Sequence, residues 1–251
     1  GGMSVHALLT SPMGKDLFQR AVIMSGGDGA PLGPIDLGVV EQAAVRFAAA
    51  QGIPADDPQA LTKLRALRPD RITDGLNLTQ FGAAGPGTYA PPFNDGALAV
   101  DAGAAYRDGA FPKIPIMIGA TDADIGGDSG PMIAGARALA GAAAGQGAPV
   151  YAYRFSYVAQ ALNRTGASHA SDIPFFLDTA SVKYGFQTSA RDKAMAKSIS
   201  GYVVNFARTG DPNGANLPLW PRYNPEKDEI MDFARNGQAE AKRDPLTAPQ
   251  P

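Results

Sequence analysis

The fold of this chain is decided by one apolar run and the loop behind it, Ile114-Pro-Ile-Met-Ile118 followed by Gly119-Ala-Thr-Asp122-Ala-Asp124-Ile-Gly-Gly-Asp128. An uncharged apolar run of this length, with proline only near its start, predicts a strand buried on both faces. Two more runs predict strands, residues 21–24 and residues 150–157. The third run mixes tyrosine, arginine and serine, which predicts one partly exposed face.

Helical patterns lie between and around these strands. They cover residues 1–9, 36–51, 57–67, 98–107, 132–144 and 194–208, whereas residues 70–96 are rich in Gly, Pro, Asn and Thr and predict a loop. The first helix is apolar on all sides, which predicts full burial. Asp36 and Asp57 are predicted N-caps. Helices that alternate with buried strands favour an α/β fold, with a mostly parallel sheet covered by helices on both faces.

Composition excludes several classes of function. The chain has 251 residues, a net charge of −2 and no cysteine. This charge gives no reason to expect nucleic acid or an anionic membrane as partner. Without cysteine there is no disulfide, no catalytic thiol and no Cys-rich metal site. We expect a soluble protein, and the composition leaves both a cytoplasmic and a secreted location open.

A second loop contains a candidate general base. His169, one of two histidines, lies in Gly166-Ala-Ser-His169-Ala-Ser-Asp-Ile-Pro-Phe-Phe176, just after the third predicted strand. In parallel sheets, working residues lie in loops at the carboxyl ends of strands. Imidazole exchanges protons near neutral pH. An acid loop followed by a histidine loop is also the chain order of the α/β-hydrolase triad, which runs Ser, Asp or Glu, His.

Four stretches resemble type-B carboxylesterases, the family of bacterial para-nitrobenzyl esterases, fungal lipases and cholinesterases. The first runs from Gly1-Gly-Met-Ser-Val-His-Ala-Leu-Leu through residue 26. The second is Pro92-Phe-Asn-Asp-Gly96, and the third is the strand and acid loop at 114–124. The last joins Phe206-Ala-Arg-Thr-Gly-Asp-Pro-Asn-Gly214 with Leu217-Pro-Leu-Trp-Pro-Arg-Tyr223 and is the most specific.

The resemblance implies where this chain lies in such an enzyme. The family's nucleophile elbow reads Gly-Glu-Ser-Ala-Gly-Gly-x-Ser-Val, so its serine would precede Gly1 by two residues, with the oxyanion loop further upstream. We therefore expect residues 1–251 to be the C-terminal portion of a single α/β-hydrolase domain. Its partners would be the N-terminal half of the same protein and a small-molecule ester. A helical segment of the family is also expected to be missing near residues 128–129.

The resemblance also assigns roles to residues. His169 matches the general base, and Asp124 falls where most of the family has glutamate. Ser25 matches a buried serine that hydrogen-bonds the acid, although a plain strand-end turn serine is an equal alternative. Three apolar residues could line the substrate gorge or simply pack in the core: Met24, Phe175 and Phe176. For His6 we expect a packing role. The resemblance implies no metal and no organic cofactor.

The identity of the acid is open among four carboxylates: Asp122, Asp124, Asp128 and Asp172. Asp172 shares the loop of His169 and could not brace that loop against the sheet. Asp128 follows two glycines, where positioning is poor, and Asp122 is held back near the strand end. Geometry thus favours Asp124, as does its alignment with the family's glutamate.

The resulting hypothesis is a serine hydrolase that cleaves carboxylic esters through an acyl-enzyme. The alternative is a cholinesterase-like binding module that has lost catalysis, although such proteins usually lose a member of the triad. An unrelated α/β binding domain would have to mimic the C-terminal signature by chance. The residue at the position of the nucleophile distinguishes the first two.

Overall fold

The computed structural model describes residues 1–29, 36–73 and 93–247. The chain forms two compact units, one of residues Gly1–Ala30 and Ala97–Pro251, and the other of residues Pro31–Gly96. Most of the predicted loop at 70–96 lies outside the described residues. Its first part is a short helix instead, which spans Pro69–Thr73.

The larger unit is built on a five-stranded sheet in the order β1-β2-β3-β4-β5. The strands are β1 Ala21–Met24, β2 Ile116–Thr121, β3 Val150–Phe155, β4 Glu229–Phe233 and β5 Ala239–Arg243. The first four run parallel and β5 pairs antiparallel with β4. This architecture confirms the predicted, mostly parallel α/β fold.

The helices, numbered along the chain, are α1 Gly2–Thr10, α2 Leu37–Ala50, α3 Ala60–Arg65, α4 Pro69–Thr73, α5 Ala102–Arg107, α6 Pro131–Gly145, α7 Ile173–Phe176, α8 Ala180–Tyr184 and α9 Ala190–Thr209. Short 3₁₀ turns add Pro12–Gly14, Gly185–Gln187 and Pro245–Thr247. Within the described segments, no helix is both long and apolar enough to cross a bilayer.

Helices cover both faces of the sheet, as predicted. Successive residues of a strand point to opposite faces, so Met117 and Tyr153 pack with α7 and α9, whereas Ile116 and Ile118 pack with α1, α5 and α6. The first core is strongly aromatic and the second is mainly aliphatic and small. The sheet therefore separates two cores.

Two predictions about burial are wrong. All six residues of β3 are buried, including Arg154, because a partner far along the chain satisfies its charge. Helix α1 was expected to be buried on all sides, yet Leu8 is 53% exposed. Only one side of α1 is covered, the side of His6 and Leu9 that faces the sheet.

Helix starts also differ from prediction. The Asp36 carboxylate accepts the Val39 N–H at 2.9 Å, which confirms this N-cap in the smaller unit. Asp57 does not cap a helix directly, because a turn over residues 57–60 precedes α3. In the larger unit α5 begins only at Ala102, since the Asp101 side chain accepts the Ala104 N–H there.

The single tryptophan lies at the centre of the aromatic core. Trp220 is 1% exposed, and its ring meets those of Tyr153, Tyr202 and Phe233 edge-on. Its indole N–H donates to the Ala152 carbonyl of β3 at 3.0 Å. The side chain of Asn213 pairs with both backbone groups of Trp220, so the C-terminal signature is fastened to the sheet by side-chain and backbone contacts.

A buried ion pair joins β3 to the segment after β5. The Arg154 Nη2 donates to Asp244 Oδ2 at 2.7 Å, and Nη1 donates to the Ala120 carbonyl of β2. The side chains of Arg154 and Asp244 are 1% and 0% exposed. A charge in such a place is tolerated only with its partner present.

We predict that Asp244→Ala destabilises the full-length gene product by about 3–5 kcal/mol, because it leaves Arg154 buried and unpaired. The measurement is urea-induced unfolding, with Asp128→Ala, which removes an exposed carboxylate, as the control. In an Arg154→Met background, Asp244→Ala should lower the free energy of unfolding by less. A loss no larger than that of the control would contradict the prediction.

Candidate active site

Strand register brings the acid loop and the histidine loop together. Thr121 of β2 lies opposite Phe155 of β3, so both strands end at the same edge of the sheet. Just beyond, the Asp122 N–H donates to the Phe155 carbonyl at 2.9 Å. Further along, Ala123 and Ser168 form an isolated parallel bridge. The loop that carries Asp124 thus lies alongside the loop that carries His169.

Asp124 is the centre of the hydrogen-bond network at this edge. Its Oδ1 accepts from His169 Nδ1 at 2.7 Å and from the Ile125 N–H at 2.8 Å. Its Oδ2 accepts from Ser25 Oγ at 2.6 Å, from Thr121 Oγ1 at 2.9 Å and from the Thr121 N–H at 3.2 Å. The carboxylate is fully buried. Donors from the ends of β1 and β2 and from the histidine loop therefore hold it in place.

These donors keep the acid ionised. Burial alone would raise the pKa of Asp124, but hydrogen bonds from Ser25, Ile125, His169 and Thr121 together lower it below its usual value. An ionised carboxylate can only accept hydrogen bonds. The nitrogen that faces it, Nδ1 of His169, must therefore be the protonated one, and the other nitrogen, Nε2, carries the lone pair of the neutral ring.

Ser25 is placed by an uncommon backbone conformation. It has φ of 46°, in the left-handed region that non-glycine residues rarely adopt. Its N–H donates to the Gly119 carbonyl, which ends the pairing of β1 with β2. The turn directs the hydroxyl at Asp124, so the serine does more than close the strand.

The imidazole of His169 faces outward on its other side. The side chain is 40% exposed, whereas that of its partner is fully buried. A partly exposed imidazole whose Nδ1 bonds a carboxylate, so that Nε2 is left as the acceptor, has the arrangement that a general base needs.

Comparison with known proteins identifies the family of this chain. The model of the carboxylesterase family matches residues 1–133 and 129–248, which together span nearly the whole chain. The chain belongs to the carboxylesterase family.

Similar curated proteins carry matching names. Carboxylesterase 4A of Bos taurus is 41% identical over 87 residues, which is 33% of this chain and 15% of that protein. Carboxylesterase 5A of Felis catus is 40% identical over 86 residues, or 31% of this chain and 16% of that protein. Human carboxylesterase 5A is 36% identical over 87 residues, again 31% of this chain and 15% of the relative. The matched segments are thus a small part of each relative's length.

Among the described residues, the other three candidate acids of this carboxylesterase-family chain make no hydrogen bond to His169. Asp128 is exposed. The Asp122 carboxylate accepts hydrogen bonds from Arg235 and from the Ala167 N–H. Asp172 is 1% exposed, and its carboxylate accepts a long hydrogen bond from the Tyr153 hydroxyl at 3.3 Å. Burial raises the pKa of Asp172 to about 6, and the nearby charge of Asp124 adds to the effect.

The predicted gorge residues lie in or against the aromatic core. Phe175 and Phe176 are 1% and 2% exposed, and Phe176 packs on the ring of Tyr153. Met24 is partly buried against the same core. These positions fit the packing alternative, and a role in substrate binding stays a prediction.

The second histidine lies on α1 and makes no hydrogen bond to Asp124 among the described residues. His6 is fully buried with its Nδ1 3.1 Å from the Tyr106 hydroxyl, and burial lowers its pKa to about 4. It is therefore neutral at physiological pH, as a packed ring would be. In the described parts of the chain no group of three or more His, Cys, Asp or Glu side chains is arranged to hold a metal ion.

Asp172 should make stability depend on pH. Its pKa rises from 3.8 in the unfolded chain to about 6 in the folded state, so the folded state binds this proton more tightly. Its favourable contribution is complete below pH 3.8 and is lost as the pH rises through 6. We predict that Asp172→Asn gains stability relative to the parent over this range, by roughly 1.4 kcal/mol per pH unit.

The measurement is urea unfolding of the full-length gene product at a series of pH values, with the exposed Asp128→Asn as control. The control should keep a constant difference from the parent protein. An equally constant difference for Asp172→Asn would show that Asp172 is not the titrating group.

Proposed function

We propose that this protein hydrolyses carboxylic esters through a serine acyl-enzyme, with His169 as general base and Asp124 as the acid that orients it. The observation that carries the proposal is the 2.7 Å hydrogen bond between His169 Nδ1 and a buried Asp124 carboxylate. It lies at the carboxyl edge of a parallel sheet in a member of the carboxylesterase family.

The nucleophile is assigned by the family's elbow, in which the serine would precede Gly1 by two residues. The start of α1 supports this assignment by its position. Gly2 packs so closely on the end of β1 that an added Cβ would lie 2.5 Å from Gly26 Cα and from the Met24 carbonyl oxygen. Between these two contacts lies Ser25, which donates to Asp124. Residues that precede α1 would therefore emerge beside the acid and base.

In the proposed reaction the serine hydroxyl attacks the ester carbonyl while His169 Nε2 takes its proton. Asp124 keeps Nδ1 protonated and stabilises the imidazolium that forms. The tetrahedral intermediate then collapses, the C–O bond to the alcohol breaks, and the alcohol leaves with the proton from Nε2. Water repeats these steps on the acyl-enzyme, which releases the acid and restores the serine.

An aspartate at position 124 requires a closer approach than a glutamate would. The structure supplies it through the Ala123 and Ser168 bridge, one residue from each partner of the pair. The retained pair also argues against the alternative of a binding module without catalysis, because such a module has no use for an oriented base. The ester itself is not specified by these residues.

We predict that His169→Ala lowers hydrolysis of an activated ester such as nitrophenyl acetate to near background, about 10⁶-fold, because the base of a triad is lost. The assay uses the full-length gene product, and circular dichroism with thermal unfolding checks that the fold is retained. Activity within tenfold of the parent protein would contradict the assignment.

For the acid we predict that Asp124→Asn lowers the rate by roughly 10³ to 10⁴, because the wrong imidazole tautomer is favoured. The same change at Asp172 or Asp128 should cost less than tenfold, so these variants serve as matched controls. If Asp172→Asn were the inactive variant and Asp124→Asn stayed near the parent rate, the acid would be misassigned.

A further inference from the structure

We infer that Asp122 and Arg235 form a positioning pair that fixes the histidine loop, residues 156–172, in register with the acid loop. The inference rests on the proposed function and adds two residues to it. Among the described residues, neither side chain hydrogen-bonds His169. Asp122 acts on the backbone of Ala167, two residues before the histidine, and Arg235 acts through Asp122.

The contacts form a chain across three segments. Asp122 Oδ1 accepts the Ala167 N–H at 2.6 Å. Asp122 Oδ2 accepts from Arg235 Nη2 at 2.6 Å and from Nε at 3.1 Å, a two-bond contact with one carboxylate oxygen. Arg235 belongs to the turn between β4 and β5. The β4–β5 hairpin is therefore linked to the histidine loop through a side chain of the acid loop.

The backbone of Ala167 is held from both sides at this point. While its N–H donates to Asp122, its carbonyl accepts the Ala123 N–H at 3.0 Å. Gly166 lies so close that an added Cβ would come within 2.7 Å of Ala123 Cβ and 3.2 Å of Asp122 Oδ1. The acid loop and the histidine loop are thus tightly packed against each other at residues 166–167, just before His169.

Charge and burial give the arginine its role. The Asp122 side chain is 5% exposed, whereas that of Arg235 is 62% exposed, so the arginine covers the acid from the solvent side. The described residues give Asp122 Oδ2 no donor other than Arg235. Without the arginine, this buried oxygen is left without its partner, which favours rotation of the carboxylate away from Ala167.

Loss of the Asp122–Arg235 pair would shift the histidine loop at Ala167, and with it the imidazole, but it would not unfold the protein, because other contacts still hold the loop. Beyond Ala167 the loop is fixed by the Ala123 and Ser168 bridge and by the imidazole's own bond to Asp124. A misplacement of about 1 Å in a catalytic group can cost 10²-fold in rate. The expected signature is therefore a fall in kcat with little change in KM.

The experiment compares steady-state hydrolysis of nitrophenyl acetate by variants of the full-length gene product. Asp122→Ala should lower kcat roughly 10- to 100-fold, with KM within about twofold. Asp122→Asn keeps an amide oxygen for the Ala167 N–H and should stay within about tenfold of the parent. Arg235→Ala should lie between these, and the double variant Asp122→Ala/Arg235→Ala should be no slower than Asp122→Ala.

Arg243→Ala is the matched control, because it removes an exposed arginine of the same hairpin whose nearest carboxylate, on Asp228, is 4.0 Å away. It should leave kcat unchanged. If Asp122→Ala fails to fold, the exposed Arg235→Ala carries the test alone. Arg235→Lys should recover only part of the rate, since lysine cannot make the two-bond contact.

The inference is overturned if Asp122→Ala and Arg235→Ala keep the parent kcat, or if they raise KM and leave kcat unchanged. It is also overturned if the two single effects add in the double variant. The proposed function has its own test in the same assay: an inactive parent protein, or an active His169→Ala, overturns that function and this inference with it. Normal parent and His169→Ala results with an unaffected Asp122→Ala overturn the positioning role alone.

Discussion

A buried carboxylate with five hydrogen bonds is the constraint on which the site depends. Asp124 is removed from water, so its charge is stable only while donors surround it. Ser25 at the end of β1, Thr121 at the end of β2 and His169 from the loop after β3 supply the side-chain donors. Three neighbouring parallel strands must therefore end at one level, and a shift of any one of them would remove a donor from the carboxylate.

The same side chains serve the sheet and the site. Gly119 of β2 lies opposite Tyr153, where a Cβ would come within 2.3 Å of the tyrosine carbonyl oxygen, so only glycine fits. The ring of Tyr153 then packs against Trp220 and Phe176, and its hydroxyl reaches Asp172 at the start of α7. The aromatic core thus extends to Asp172, three residues after His169. This packing helps to fix the position of the loop that carries His169.

Short-range patterns in the sequence predict much of this arrangement. The apolar run of β1 is found to the residue, and the order of the acid and histidine loops follows from the strands that precede them. One cause recurs among the errors, which is the pairing of charged side chains between separate segments. Arg154 is buried because it pairs with Asp244, 90 positions away along the chain. Strand β4 is missing from the predicted strands because its apolar run is interrupted by Asp232, which is buried and paired with Lys242 of the next strand. The contact of Asp122 with Arg235, 113 positions apart, likewise leaves no periodic trace.

The single tryptophan of residues 1–251 makes fluorescence a selective probe of the aromatic core. Trp220 is buried among aromatic rings, and its indole N–H is bonded to β3. Within residues 1–251, light absorbed at the red edge of the aromatic band is therefore emitted by one tryptophan, which is buried in the larger unit. Solvent that enters the aromatic core would shift this emission to longer wavelength. Residues 1–251 thus carry an intrinsic optical label for the packing between β3 and the C-terminal signature, and because they contain no cysteine, a thiol engineered among them could hold a second dye.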